Sequence, residues 1–183
     1  MFRDNSLIPT EAVRLAALGL LAEAPRRYGD LALEVSHFTS RLVGPSLDLM
    51  GTSLELLRYE GLIEAVDGDG MTDNATLRLT AAGKTALIGL LKARLRGPVN
   101  DLNRVALLVK LRFLHHLSAE EQAAQTRLIH EACANELARL EELRRHHVTV
   151  PGPFLTWLDQ DIAGLKARLA WLAGAEGKTE AAE

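Results

Sequence analysis

The chain has 183 residues, 48% of them hydrophobic and 25% charged, which suits one ordinary domain or two small ones and excludes a disordered protein. Aromatic residues make up only 4%, so the core must be built from Leu, Ala, Val and Ile, a composition that favours helix. The net charge is −3, shared as −1 over residues 1–96 and −2 over 97–183, so neither half has the basic excess that makes nucleic-acid binding obvious.

The single cysteine, Cys133, excludes an intrachain disulfide. The first ten residues carry Arg3 and Asp4 and no apolar segment, so no signal peptide is expected. The most apolar window, residues 105–117, is interrupted by Lys110 and Arg112 and is too short to span a bilayer. A cytoplasmic location is therefore expected.

In chain order, Pro9-Thr10-Glu11 opens a helix with a densely apolar run through Leu21, stopped at Ala24-Pro25. A second helix is expected over 29–41, with Leu31, Val35 and Phe38 on one face, and Gly44-Pro45 breaks it. The next helix ends at Glu60-Gly61; its start is open between a Ser46 cap and a Thr52/Glu55 capping box. Two strands follow, over 62–66 and 75–80, separated by the turn-forming Asp67-Gly68-Asp69-Gly70 and Asp73-Asn74. Thr80 can cap a helix that runs to about Arg96.

Gly97-Pro98 is the expected boundary between a winged helix-turn-helix domain, 1–96, and a helical dimerisation domain, 97–173, with a disordered tail over 174–183. In the second part, residues 102–117 read as a buried helix. Ser118-Ala-Glu-Glu caps a helix that runs to about His147. The last helix, 154–172, carries Leu158, Ile162, Leu165, Leu169 and Leu172, with Trp157 and Trp171 beside them. That stripe is too apolar to face water on a monomer, so these seven residues are the expected dimerisation face. The fold class expected is mainly α: an N-terminal winged helix with a small β-hairpin wing, plus C-terminal dimerisation helices.

The segment Leu54-x-x-Leu57-Arg58-x-Glu60-Gly61-Leu62-Ile63-Glu64, followed by Leu77-Arg78-Leu79-Thr80-x-Ala82-Gly83-Lys84, resembles the recognition helix and wing strands of the phenolic-acid-regulator (PadR) family. Leu18-Gly19-Leu20-Leu21-Ala22 before Pro25 looks like its first helix, and the C-terminal helices look like its virulence-activator type dimerisation region. The resemblance implies a homodimeric transcriptional regulator that binds a palindromic operator in double-stranded DNA, with a small-molecule effector near the interface. The chain departs from the family's pattern at Arg27-Tyr28-Gly29, at Gly51-Thr52 and in the wing, where Asp67, Asp69 and Asp73 replace the usual basic residues.

The candidate DNA-reading surface is Ser46, Thr52 and Ser53 near a helix N-terminus, with Arg26, Arg27, Tyr28, Arg41 and Arg58 placed to reach phosphates. No catalytic constellation is present: there is no phosphate-binding glycine loop, nucleophile elbow or zincin-spaced His-Glu pair. The pairs His115-His116 and His146-His147 point about 100° apart on a helix and cannot readily chelate one ion, and His130 with Cys133 supplies too few ligands for zinc. No metal or cofactor is expected. Trp157 and Trp171 suit core packing, or an effector cavity between subunits. Two functions remain: a DNA-binding regulator, acting as a repressor, or a winged helix with little DNA affinity that acts through protein contacts as antagonist or accessory of another regulator.

Overall fold

A computed structural model of the chain describes residues 6–7, 9–43, 50–66, 74–95, 101–149 and 151–180. The chain divides into two compact units, one of residues 1–96 with 100–117 and one that holds residues 118–183.

The first unit is organised around α1 (Pro9–Glu23). Its residues Ala12, Val13, Leu15 to Leu18, Leu20 and Leu21 are all buried, so the helix is apolar nearly all round because it is packed on several sides. The chain leaves α1 at Pro25 into β2 (Arg26–Arg27), then turns into α2 (Tyr28–Val43) and α3 (Met50–Tyr59). The helix α3 is described from Met50, and Ser46, the earlier of the two candidate caps, lies outside the described residues.

The end of α3 follows from Gly61. At φ +70° it takes the left-handed conformation, its N–H reaches the Arg58 carbonyl (2.9 Å), and Leu62 N–H reaches Leu57 (2.9 Å). These are the two bonds of a Schellman cap. The chain then forms the hairpin of β3 (Ile63–Ala65) and β4 (Thr76–Leu79), with Ile63 opposite Leu79 and Ala65 opposite Leu77. The strand β2 pairs with the free edge of β4, giving an antiparallel sheet in the order β2-β4-β3. Helix, strand, two helices and a hairpin complete a winged helix-turn-helix.

Thr80 joins the sheet to α4 (Ala81–Lys92). Its hydroxyl accepts from Gly83 N–H (3.0 Å) and donates at the end of α3, where the Gly61 and Leu62 carbonyls lie 2.7 and 3.0 Å away. The helix α4 exits into β5 (Arg94–Leu95), which pairs in parallel with β1 (Ser6–Leu7). None of the two-residue strands β1, β2 and β5 was expected from sequence, since so short an element carries no measurable periodicity.

Next comes α5 (Asp101–Phe113), continued by a 3-10 turn over Leu114–His116. Its buried residues include Val105, Ala106, Val109 and Phe113, and it packs on α1 so closely that a Cβ at Gly19 would stand 2.5 Å from the Phe113 ring. Compactness thus groups α5 with the winged helix, and the division falls at Leu117 rather than at Gly97-Pro98, which lies outside the described residues.

Lys110 is buried within α5, 1% exposed, with its ammonium donating to the Ala93 carbonyl at the C-terminal end of α4. Burial lowers its pKa to about 8. An unfolded lysine keeps its proton to about pH 10.5, so between about pH 8 and 10.5 unfolding takes up a proton. Stability should therefore rise through that window, by roughly 3 kcal/mol if Lys110 acts alone, and should not depend on it below the window. Denaturant titrations of the wild type and Lys110→Met across this range should show the rise in the former and a flatter profile in the latter.

The second unit consists of α6 (Ala119–His146) and α7 (Phe154–Glu180). Ser118 and Glu121 form the expected capping box at the start of α6. Ion pairs of Arg144 with Asp159 and of Lys166 with Glu141 (2.8 Å) tie the two helices together. Helix α7 continues to Glu180, past the residue-172 end and through part of the tail expected to be disordered; residues 181–183 lie outside the description. Among the described residues no helix is long and apolar enough to cross a membrane.

The face expected for dimerisation divides. Leu158, Ile162, Leu165 and Leu172 are buried within the single chain and Leu169 is half-buried, so the apolar stripe is already covered without a partner. Trp157 and Trp171 remain 73% and 60% exposed. Cys133 is buried in α6, and burial pushes its thiol pKa up, as suits a small core residue rather than a redox sensor.

Candidate nucleic-acid interface

The candidate DNA-contacting residues that the structure describes lie on α2, α3 and β2. On α2, Leu31 and Val35 are fully buried and Phe38 packs against the core, which turns Leu33, Ser36, His37 and Arg41 outward. On α3, Leu54 and Leu57 anchor the helix, leaving Glu55, Leu56, Arg58 and Tyr59 exposed. Thr52 and Ser53 lie two and three residues after Met50, where the described part of α3 begins. Ser46 and the wing acids Asp67, Asp69 and Asp73 lie outside the described residues.

The arginines separate into two groups. Arg26 faces inward from β2: its guanidinium bonds Glu34 (2.6 Å) and approaches Glu23 and the Leu20 carbonyl (both 3.4 Å). It ties the sheet edge to α1 and α2, and this corrects its expected role as a cation available to phosphate. Arg14 pairs with Glu60, Arg78 with its cross-strand neighbour Glu64 (2.6 Å), and Arg112 with Glu23 (2.7 Å). The hydrogen bond from Arg14 holds the Glu60 carboxyl below its usual pKa. Burial works to raise the pKa of Glu23, but the hydrogen bond and charge of Arg112, with Arg26 and His115, outweigh it and leave that group lowered.

Arg27, Arg41 and Arg58 form the second group. Each is exposed, and none makes an ion pair among the described residues. Arg27 follows Arg26 on β2, opposite Thr76; Arg41 closes α2 and Arg58 closes α3. Tyr28 is half-buried against the core with its N–H bonded to the Ala75 carbonyl (2.9 Å), so its backbone is committed to the sheet.

The match to known proteins is decided at the family level. The model of a family of AphA-like transcriptional regulators matches residues 2–175. The chain belongs to that family. It is a family of regulators rather than enzymes, in agreement with the winged-helix regulator that the wing residues resemble. No curated protein matches the chain.

Among solved structures, Bacillus subtilis PadR in complex with operator DNA is 18% identical over 93% of this chain and 99% of that one, with a TM-score of 0.40. The same protein with p-coumaric acid is 18% identical over 96% and 99%, TM-score 0.39. The smu.1604c protein of Streptococcus mutans UA159 is 18% identical over 88% and 96%, TM-score 0.38.

For this AphA-like chain, sequence reasoning missed Tyr59, which is 90% exposed at the end of α3. The signal was available: once Leu54 and Leu57 are taken as anchors, helical spacing turns positions 55, 56 and 59 away from the core. Among the described residues no three His, Cys, Asp or Glu side chains come together in a way that could hold a metal ion.

Proposed function

We propose that this AphA-like protein is a homodimeric DNA-binding regulator of transcription, acting as a repressor in the cytoplasm. The observation that carries the reading is the division of arginines. Arg14, Arg26, Arg78 and Arg112 are neutralised by carboxylates, whereas Arg27, Arg41 and Arg58 are exposed and make no ion pair among the described residues of the helix-turn-helix unit. Unpaired surface arginines are the groups that gain most from phosphate, with which they form bidentate bonds. In this reading the three position the duplex, and Thr52, Ser53 and Tyr59 on α3 meet base edges in the major groove. Two such units, joined through the exposed row of α7, bind two half-sites together, which offsets the modest charge of each unit. Repression suits such a dimer because occupancy of a promoter suffices to block it.

Selection of bound fragments from the source genome by the purified protein tests this reading. It should enrich a small set of fragments that share an inverted repeat with half-sites about one helical turn apart. Recovery of no fragment at low salt would contradict it and leave a winged helix that acts through protein contacts.

A further inference from the structure

Large apolar side chains are exposed on the first unit in one region of its sequence. Among its described residues they are Leu33 on α2, Leu56 and Tyr59 on α3, and Val66 just after β3; the described parts of α1, α4 and α5 expose none. Leu56 and Tyr59 stand three residues apart and so share a side of α3, turned away from the buried Leu54 and Leu57. Glu55, also exposed, lies four residues before Tyr59 on the same side. Its carboxylate is repelled by phosphate, so this side suits base edges rather than the DNA backbone.

The same stretch lacks most of the side chains that read bases by hydrogen bonds. Between Tyr28 and Tyr59 there is no Asn, Gln or Lys. The amide pairing with adenine is therefore missing, and bidentate contact with guanine is left to arginine. Arg27, Arg41 and Arg58 are exposed and make no ion pair among the described residues, a set of charges that suits a polyanion better than an apolar protein face. The apolar group that a duplex presents in its major groove is the 5-methyl of thymine.

We propose that Leu56 and Tyr59 read thymine, covering its 5-methyl groups in the major groove of each half-site. The arginines then set how tightly any DNA is held, and these two side chains set which sequences are preferred. The inference rests on the DNA-binding reading above and adds the base feature that is recognised. The two are separable in solution: the salt dependence of binding reports the arginines, and the thymine methyl reports α3.

The test compares the affinity of the full chain for its selected genomic fragment with that for the same fragment carrying uracil in place of every half-site thymine. Uracil removes the methyl and leaves base pairing intact. Covering one methyl in each of two half-sites is worth about fourfold apiece, so uracil should weaken binding about tenfold or more without changing the salt slope. Leu56→Ala with Tyr59→Ala should bind the two fragments alike within about twofold, and Tyr59→Ala alone, at a position 90% exposed, should already reduce the ratio. Arg58→Ala should weaken both fragments together and keep their ratio. The proposal is overturned if the wild type binds both fragments alike, if the double variant with wild-type helix content keeps the ratio, or if the selected half-sites lack thymine. If no fragment binds at low salt, it falls together with the DNA-binding reading, and the apolar side of α3 is left to a protein partner.

Discussion

Replacing Gly83 by alanine should destabilise the protein by about 3 kcal/mol, lowering its thermal midpoint by roughly 6–12 °C. A Cβ at this position would stand 2.0 Å from the Leu62 carbonyl oxygen and 2.7 Å from Leu79. The carbonyl is backbone at the junction of α3 and β3, and Thr80 holds it through both its N–H (3.1 Å) and its hydroxyl (3.0 Å). It cannot retreat without opening the cap of α4 or the turn at Gly61. Gly89→Ala is the matched control, in the same helix but with open space around the added Cβ. It should stabilise by about 0.5–1 kcal/mol through helix propensity alone. Thermal melts of the two variants should move in opposite directions; a Gly83→Ala variant as stable as wild type would show that α4 does not rest on Leu62.

The double variant Trp157→Glu with Trp171→Glu should weaken dimerisation at least about a hundredfold without loss of helix content. With Gly164, the two tryptophans stand at steps of seven on α7, so they lie nearly in line along one side of the helix. All three are exposed in the single chain, and Phe154, 41% exposed, extends the row. An isolated row of this kind suits burial against a second copy, with tryptophan as the anchor and glycine allowing close approach. Sedimentation equilibrium should find the variant monomeric at concentrations where the wild type is dimeric. By contrast, Leu165→Glu should unfold the α6–α7 hairpin, since Leu165 is 4% exposed before any partner arrives. A double tryptophan variant that dimerises as well as wild type would move the interface elsewhere.

Much of this architecture could be read from the sequence because its signals were local. The apolar circumference of α1 and α5, the alternation in β4 and the caps at Thr80 and Ser118 each lie within a few residues of the element they specify. The motif from Glu60 to Lys84 gains a physical meaning: Gly61 ends α3, Thr80 bonds that end, and Gly83 lets α4 rest on it.

What was hidden depends on tertiary pairing. Nothing in Arg26-Arg27 reveals that one arginine turns inward to Glu34, on the next helix, while its neighbour stays exposed. The leucine stripe of α7 is equally compatible with an intrachain hairpin and a partner subunit, since both bury the same spacing of residues. A cavity beside His115 and His116 is likewise assembled with β4 and α4, from far earlier in the chain.

The central claim is that Arg27, Arg41 and Arg58 are the edge through which DNA is held, and the salt dependence of binding tests it most directly. A dimer would present about six such groups, so the slope of log affinity against log salt for a selected fragment should approach about −5. The triple variant Arg27→Ala, Arg41→Ala, Arg58→Ala should bind every sequence more weakly and show a slope nearer zero. All three side chains are exposed and unpaired among the described residues, so the variant should fold as wild type does. An unchanged slope and affinity in the folded variant would contradict the account.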